Sequence, residues 1–128
     1  MYPEDLRYSK EHEWISGEGD VRTIGITHHA QVELGDIVYV ELPEVGSVIE
    51  ADGPLGTVES VKAVSELFCP VTGEIVEINI ELKERPETIN QDPYKKGWIV
   101  KLKLSKPSEV ERLMTAADYR KYLSENRD

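Results

Sequence analysis

The chain has 128 residues and a net charge of −10, with 39% hydrophobic and 31% charged residues, a balance that suits a soluble globular domain with a real core. So acidic a surface repels nucleic-acid phosphates. No apolar run approaches the roughly 18 residues of a membrane span, and the acidic start Met1-Tyr2-Pro3-Glu4-Asp5 resembles neither a signal peptide nor a transit sequence.

The pattern is mainly β. Short strand candidates lie around Trp14 and over Ile24–Ile26. Thr27 is placed to cap a short helix over His28–Leu34, which Gly35 would end. Val38, Val40 and Leu42 form an alternating face, and further short strands fall at Val48–Ile49, Val58 and Leu67–Phe68. Val76, Ile78, Ile80 and Leu82 alternate with polar residues, as do Trp98, Val100, Leu102 and Leu104; period two reads as half-buried strand. Glycines and prolines punctuate these runs at Pro43, Gly46, Gly53-Pro54, Pro70, Gly73, Pro86, Pro93 and Gly97. Many short strands with frequent turns point to a barrel or sandwich rather than a parallel sheet. Near the C-terminus Ser108 and Glu111 have capping-box spacing, and Val110, Leu113, Met114 and Ala117 form one apolar helical stripe. That predicts a helix lying on the β core, with Tyr119, Tyr122 and Leu123 continuing the contact after a bend. No linker divides the sequence, so one domain over 1–128 is expected, with a helical segment over about 107–125.

Charge is distributed unevenly. Between Arg22 and Lys83 the only lysine or arginine is Lys62, in a stretch that holds eleven acids from Glu33 to Glu81. Strand-forming runs flank Lys62, and two glycine-led segments, Gly46-Ser-Val-Ile-Glu and Gly73-Glu-Ile-Val-Glu, lie on either side of it. A two-sheet β domain with approximate two-fold symmetry would put Lys62 at a hairpin apex. The apex lacks the Gly, Asn or Pro of a primed turn, so an ordinary turn is expected. A solvated turn lysine is the commonest fate of such a residue; presentation of its amine is the functional alternative.

Other residues offer no catalytic constellation. His12, His28 and His29 are the only histidines, and neighbouring helical residues diverge by about 100°, which disfavours a shared metal. Cys69, the only cysteine, follows an apolar run and reads as a buried structural thiol. Lacking a possible internal disulfide, the chain suits a reducing compartment, most simply a bacterial cytoplasm. Trp14 and Trp98 read as core residues.

Glu59-Ser60-Val61-Lys62-Ala63 resembles the lipoylation motif of glycine cleavage H proteins. Similar blocks surround it in order. They are Tyr8-Ser9-Lys10-Glu11-His12-Glu13-Trp14, then Gly25-Ile26-Thr27-His28-His29-Ala30-Gln31, and Gly35 through Pro43. Pro70-Val71-Thr72-Gly73-Glu74-Ile75-Val76, Ile89-Asn90-Gln91-Asp92-Pro93-Tyr94 and Gly97-Trp98 follow. The resemblance runs from about Tyr8 to the C-terminal helix. It implies a lipoyl/biotinyl-like barrel-sandwich hybrid and a non-enzymatic carrier, with lipoic acid amide-linked to Lys62 inside a motif of Glu59, Ser60, Val61 and Ala63.

The implied partners are a pyridoxal-phosphate glycine decarboxylase (P protein), an aminomethyltransferase (T protein), dihydrolipoyl dehydrogenase (L protein) and a lipoate-attaching enzyme. The carrier would be monomeric when free. The resemblance further implies a cleft that shelters the cationic aminomethyl group on the arm. By motif position Glu13 is the first candidate to hold that cation and Glu66 the second. Glu33 stands where some members have a histidine. Biotin carriers place methionines beside the lysine, where this chain has Val61 and Ala63. Lipoyl domains of 2-oxoacid dehydrogenases lack the Tyr8–Trp14 block. A role mainly in lipoate relay to other lipoyl domains is the alternative that the same arm would serve.

Overall fold

The structure, a computed structural model, describes residues 2–125. Strands dominate and form two antiparallel sheets. The larger contains β1 (Arg7–Tyr8), β2 (Glu13–Ile15), β3 (Val21–Ile26), β9 (Val100–Leu104), β8 (Gly73–Ile78) and β5 (Val48–Ile49), side by side in that order. The smaller contains β4 (Ile37–Glu41), β6 (Pro54–Ser60) and β7 (Val64–Phe68). α1 (His28–Leu34), α2 (Thr88–Gln91) and α3 (Ala116–Glu125) complete the helices, with 3-10 turns at Ile80–Lys83 and Pro107–Arg112.

The main core lies between the sheets. Ile15, Ile24, Ile26, Ile75, Val100 and Leu102 from the larger meet Ile37, Val40, Leu55, Val58 and Leu67 from the smaller. The two-residue period of a strand explains the division. In β2, Ile15 faces this core while Trp14 faces the other way, into a second cluster with Leu6, Tyr8, Ala116 and Tyr119. Trp14 donates its indole N–H to the Pro93 carbonyl at 3.0 Å. Gly25 is obligatory opposite it, because a Cβ there would stand 2.6 Å from the Trp14 ring. α3 thus covers the outside of the β1–β2 corner, where the Tyr8 and Tyr119 rings stack at 4.8 Å.

The two glycine-led segments pair with each other. Val48 is opposite Glu74 and Ile49 opposite Gly73, nested outside the β6–β7 pairing of Glu59 with Val64 and Thr57 with Glu66. Lys62 therefore sits at the apex of the hairpin they enclose.

α1 has the bounds and caps read from the sequence: the Thr27 side chain accepts from Ala30 N–H, and Gly35 closes the helix with φ of 81°. Four expectations are corrected. The Val76–Leu82 alternation does not hold, because β8 ends at Ile78 and Ile80–Lys83 turns as a 3-10 helix. A register shift between Ile75 and Glu77 buries Ile75 and leaves Val76 exposed. A similar shift between Ile37 and Tyr39 leaves Val38 exposed, out of phase with Val40. Bulges reset the inside–outside phase, which a strict period of two cannot register.

Trp98 precedes β9 rather than joining it, and it is half-buried. The helix drawn from Ser108 is broken as well. Pro107–Arg112 is 3-10, Leu113 is extended, and Met114 exchanges two 2.8 Å backbone hydrogen bonds with Tyr8. Those bonds hold the chain extended, so α3 starts only at Ala116, with Thr115 Oγ1 accepting from Asp118 N–H. No side-chain cap starts the 3-10 turn, and its Glu109 accepts from Thr72 N–H and Oγ1–H. Ala116 rather than Ala117 is buried; Tyr119 is buried and Tyr122 and Leu123 pack beside it, as expected.

One acid is buried in the framework. Glu13 of β2 is 3% exposed; its carboxylate accepts from Ser9 Oγ at 2.5 Å and from Phe68 N–H at 3.4 Å. Burial pushes its carboxyl from 4.5 up to about 7, against the opposing pull of these two bonds. The folded chain therefore holds this proton more tightly than the unfolded chain. The stability so gained is complete below pH 4.5 and is lost as pH rises through about 7. Urea unfolding of wild type and Glu13→Gln should show it: the stability of the variant relative to wild type rises between pH 4 and pH 8, by about 3 kcal/mol at most. A pH-independent difference would contradict this account.

Candidate functional site

The attachment candidate sits where the β6–β7 hairpin turns. Neither Val61 nor Lys62 has positive φ, so the tip is not a primed turn. Ser60 closes it instead. Its N–H donates to the Ala63 carbonyl at 2.8 Å, and its Oγ accepts from Lys62 N–H at 3.2 Å and Ala63 N–H at 3.1 Å. Ser60 is buried while Val61, Lys62 and Ala63 are exposed. Val61 N–H donates to the Asp36 carbonyl at 3.0 Å, tying the tip to the turn after α1. Asn90 clamps that turn: its side chain donates to Gln31 Oε1 and the Gly35 carbonyl and accepts from Ile37 N–H. The apex is thus a braced mount with its lysine in solvent.

Gly35 lies under the Lys62 stem. A Cβ there would stand 3.3 Å from Lys62 Cε, and its φ of 81° disfavours any other residue. The sequence marked Gly35 only as a helix end; its second duty depends on a hairpin 27 residues away.

Register arranges the surroundings. Tyr39, Glu59 and Val64 stand in one row across the exposed face of the smaller sheet, and Glu41, Thr57 and Glu66 in the next. Among the described residues of that face and tip, Lys62 is the sole cation amid Asp36, Glu41, Glu59 and Glu66.

A cleft of about 230 Å³ opens along the free edge of β7, between it, α1 and the His12 turn. Glu11, His12, Ile26, His29, Glu33, Leu34, Glu66 and Leu67 are among its lining residues. Leu34, the last residue of α1, lines it, and the next residue is Gly35, against which the Lys62 stem lies. Of the two acids expected to face an arm, Glu66 lines this cleft. Glu13 does not; its carboxyl lies behind the wall, against Phe68, one residue beyond Leu67. Glu33 lines the cleft at the position where the resemblance gives some members a histidine, and two histidines to which no motif points, His12 and His29, line it as well. His29 brings its ring within 4.6 Å of His12, whereas His28 turns toward Tyr2. His12 enters with φ of 70°, which no sequence signal announces.

No alternative chemistry emerges. Cys69 is fully buried, and burial pushes its thiol up to about 12, so it is not a nucleophile. Among the described residues no cluster of three or more His, Cys, Asp or Glu side chains is arranged to hold a metal ion, and no helix is long and apolar enough to cross a membrane.

Comparison with known proteins bears directly on this braced lysine. A family model for the glycine cleavage H-protein matches residues 6–126. A glycine cleavage system H protein of Bacillus cereus (strain AH187) is 60% identical over 117 residues, covering 91% of this chain and 92% of its own. One from Bacillus anthracis (strain A0248) is similar to the same extent. The crystal structure of a glycine cleavage system H protein from Mycobacterium marinum matches with a TM-score of 0.85 and 39% identity, over 97% of this chain and 98% of that one. With the family thus shown over nearly the whole length, the chain belongs to the glycine cleavage H proteins, the non-catalytic lipoyl carriers of the glycine cleavage system.

Proposed function

We propose that Lys62 is the residue that carries lipoic acid, in amide linkage, and that the chain ferries the aminomethyl fragment of glycine on it. The observation that carries this reading is an exposed primary amine on a tip braced by Ser60, Asp36 and, through the α1 turn, Asn90. An amide needs a nucleophilic amine, which a guanidinium does not offer. Exposure lets a lipoate-attaching enzyme enclose the side chain. Bracing fixes where the arm begins, so that its reach is the same at each partner. The missing Cβ of Gly35 leaves room for the lysine stem, and the cleft lined by the preceding Leu34 leaves room for a long acyl arm.

When bound, the lipoyl group supplies a disulfide that accepts the fragment and is itself reduced. The residues of the chain do the rest. Glu66, Glu33 and Glu11 line the cleft and favour a cationic amine within it. Glu13 adds negative potential from behind Phe68 when ionised. Leu34, Ile26 and Leu67 supply apolar wall for the acyl stem. The partners under this reading are glycine decarboxylase, which loads the arm, aminomethyltransferase, which unloads it, and dihydrolipoyl dehydrogenase, which reoxidises it. The acidic rows around Lys62 suit partners with basic entrances, an attraction that salt weakens.

Two measurements test the proposal. Incubation with lipoate, ATP and a lipoate-attaching enzyme should add one lipoyl group by intact mass to wild type and none to Lys62→Arg; addition to the variant would refute the assignment of Lys62. Once loaded through glycine decarboxylase, Glu66→Gln should release the aminomethyl group to water, as ammonia and formaldehyde, roughly threefold faster than wild type, the size of one partly exposed charge contact, and Glu13→Gln should show a smaller increase. Equal loss from all three proteins would remove both acids from the cleft's function.

A further inference from the structure

A chain of hydroxyls connects the cap of α1 to His12 at the cleft, and the need of each buried hydroxyl for an acceptor selects one polarity along it. Thr27 and Tyr119 are both fully buried. Thr27 Oγ1 accepts from Ala30 N–H at 3.2 Å, as an N-cap must. Its own proton needs an acceptor, because a buried hydroxyl without one is costly. The acceptor at hand is Tyr119 Oη at 2.8 Å. Tyr119, already receiving that proton, donates its own to its remaining neighbour, His12 Nδ1, at 2.8 Å. A donor arriving at Nδ1 leaves the imidazole proton on Nε2.

We infer that Tyr119 is a positioning residue of the carrier cleft: with Thr27 it locks His12 as the neutral Nε2–H tautomer, so that this ring sets no positive charge against a cationic amine. This deepens the cleft reading above and its consequence rests on that reading; the tautomer does not. Further geometry agrees. His12 has φ of 70°, a conformation costly for a non-glycine residue that the surrounding contacts must hold. The groups that face it are His29 and Glu33 of α1, Glu66 of β7, Tyr119 and Tyr122 of α3, and the neighbouring Glu11. Burial, and then His29, lower the pKa of His12 while Glu33 opposes them. Burial holds the Tyr119 hydroxyl well above its ordinary value, so it remains a donor. The C-terminal helix, far from Lys62 in sequence, thereby sets the electrostatics of the cleft, and protonation of His12 would place a second cation against the cargo.

The experiment has two arms. In the unlipoylated, 15N-labelled full chain, long-range imidazole spectra at pH 7.5 should show His12 as the Nε2–H tautomer alone. A protonated ring, an Nδ1–H form or a mixture would overturn the inference. Tyr119→Phe keeps the ring but removes the hydroxyl. It should mix the His12 tautomers and raise the midpoint of its titration by about half a unit toward its free value, whereas Thr27→Ser, which keeps the hydroxyl relay, should match wild type. An unchanged tautomer and midpoint in Tyr119→Phe would show that the hydroxyl has only a packing role. In loaded protein, water should release the aminomethyl group as ammonia and formaldehyde about threefold faster from Tyr119→Phe near neutral pH, the factor by which a half-unit rise multiplies the cationic fraction of His12. Equal release rates would overturn the cleft role of Tyr119. Lipoyl uptake at Lys62, read by intact mass in the same samples, reports separately on the attachment reading.

Discussion

The hydrogen bond from Val61 N–H to the Asp36 carbonyl joins the two halves of the working surface. On one side lies the hairpin that offers Lys62; on the other lies the turn that ends α1 and begins the cleft. Without that bond the tip would project unsupported beyond the last β4–β6 pair, Ile37 with Ser60. With it, the lysine stem lies over Gly35, and the end of the arm and the start of its shelter share one rigid origin. Ser60 and Asn90 serve the same end from either side, each with one side chain that satisfies several backbone groups.

Electrostatics divides the surface into two tasks. Around the tip, exposed carboxylates surround the sole cation of that region, and amide formation would remove even that charge. Under the proposed reading, the same sign of charge inside the cleft would meet the cargo at closer range, where screening by salt is weaker. Acids that line the cleft are exposed, while Glu13, behind them, is buried, and that burial pushes its carboxyl up to about 7. A neutral His12 completes the arrangement, since charge of either sign on that wall would change what the cleft retains.

The parts of this architecture that are local were legible in the sequence. Thr27, the seven residues after it and Gly35 define α1 because capping acts within one turn. The faces of β9 were legible because its alternation is uninterrupted. Lys62 stood out by its isolation from other cations and by its motif, both visible in the letters. The misreadings share one physical origin, a distant partner that overrides a local pattern. Bulges opposite β9 and β6 reset the phase of β8 and β4. Two bonds from Tyr8, more than a hundred residues upstream, hold Met114 extended and cut a plausible helix in two.

What the sequence by itself determined is local: one lysine isolated from other cations in an acidic stretch, and the strand and cap propensities that make a β framework. What only the tertiary structure decided is which groups share a space. Glu66 reached the cleft and Glu13 went behind it, although the motif had ranked them the other way. His12, His29 and Tyr119 met across three elements without any sequence spacing to foretell it. The reason is that propensity and capping are set over one or two turns of chain. Burial, tautomer and the sharing of a cleft depend on which surfaces the sheets and α3 press together, and that is settled only when the whole core is packed.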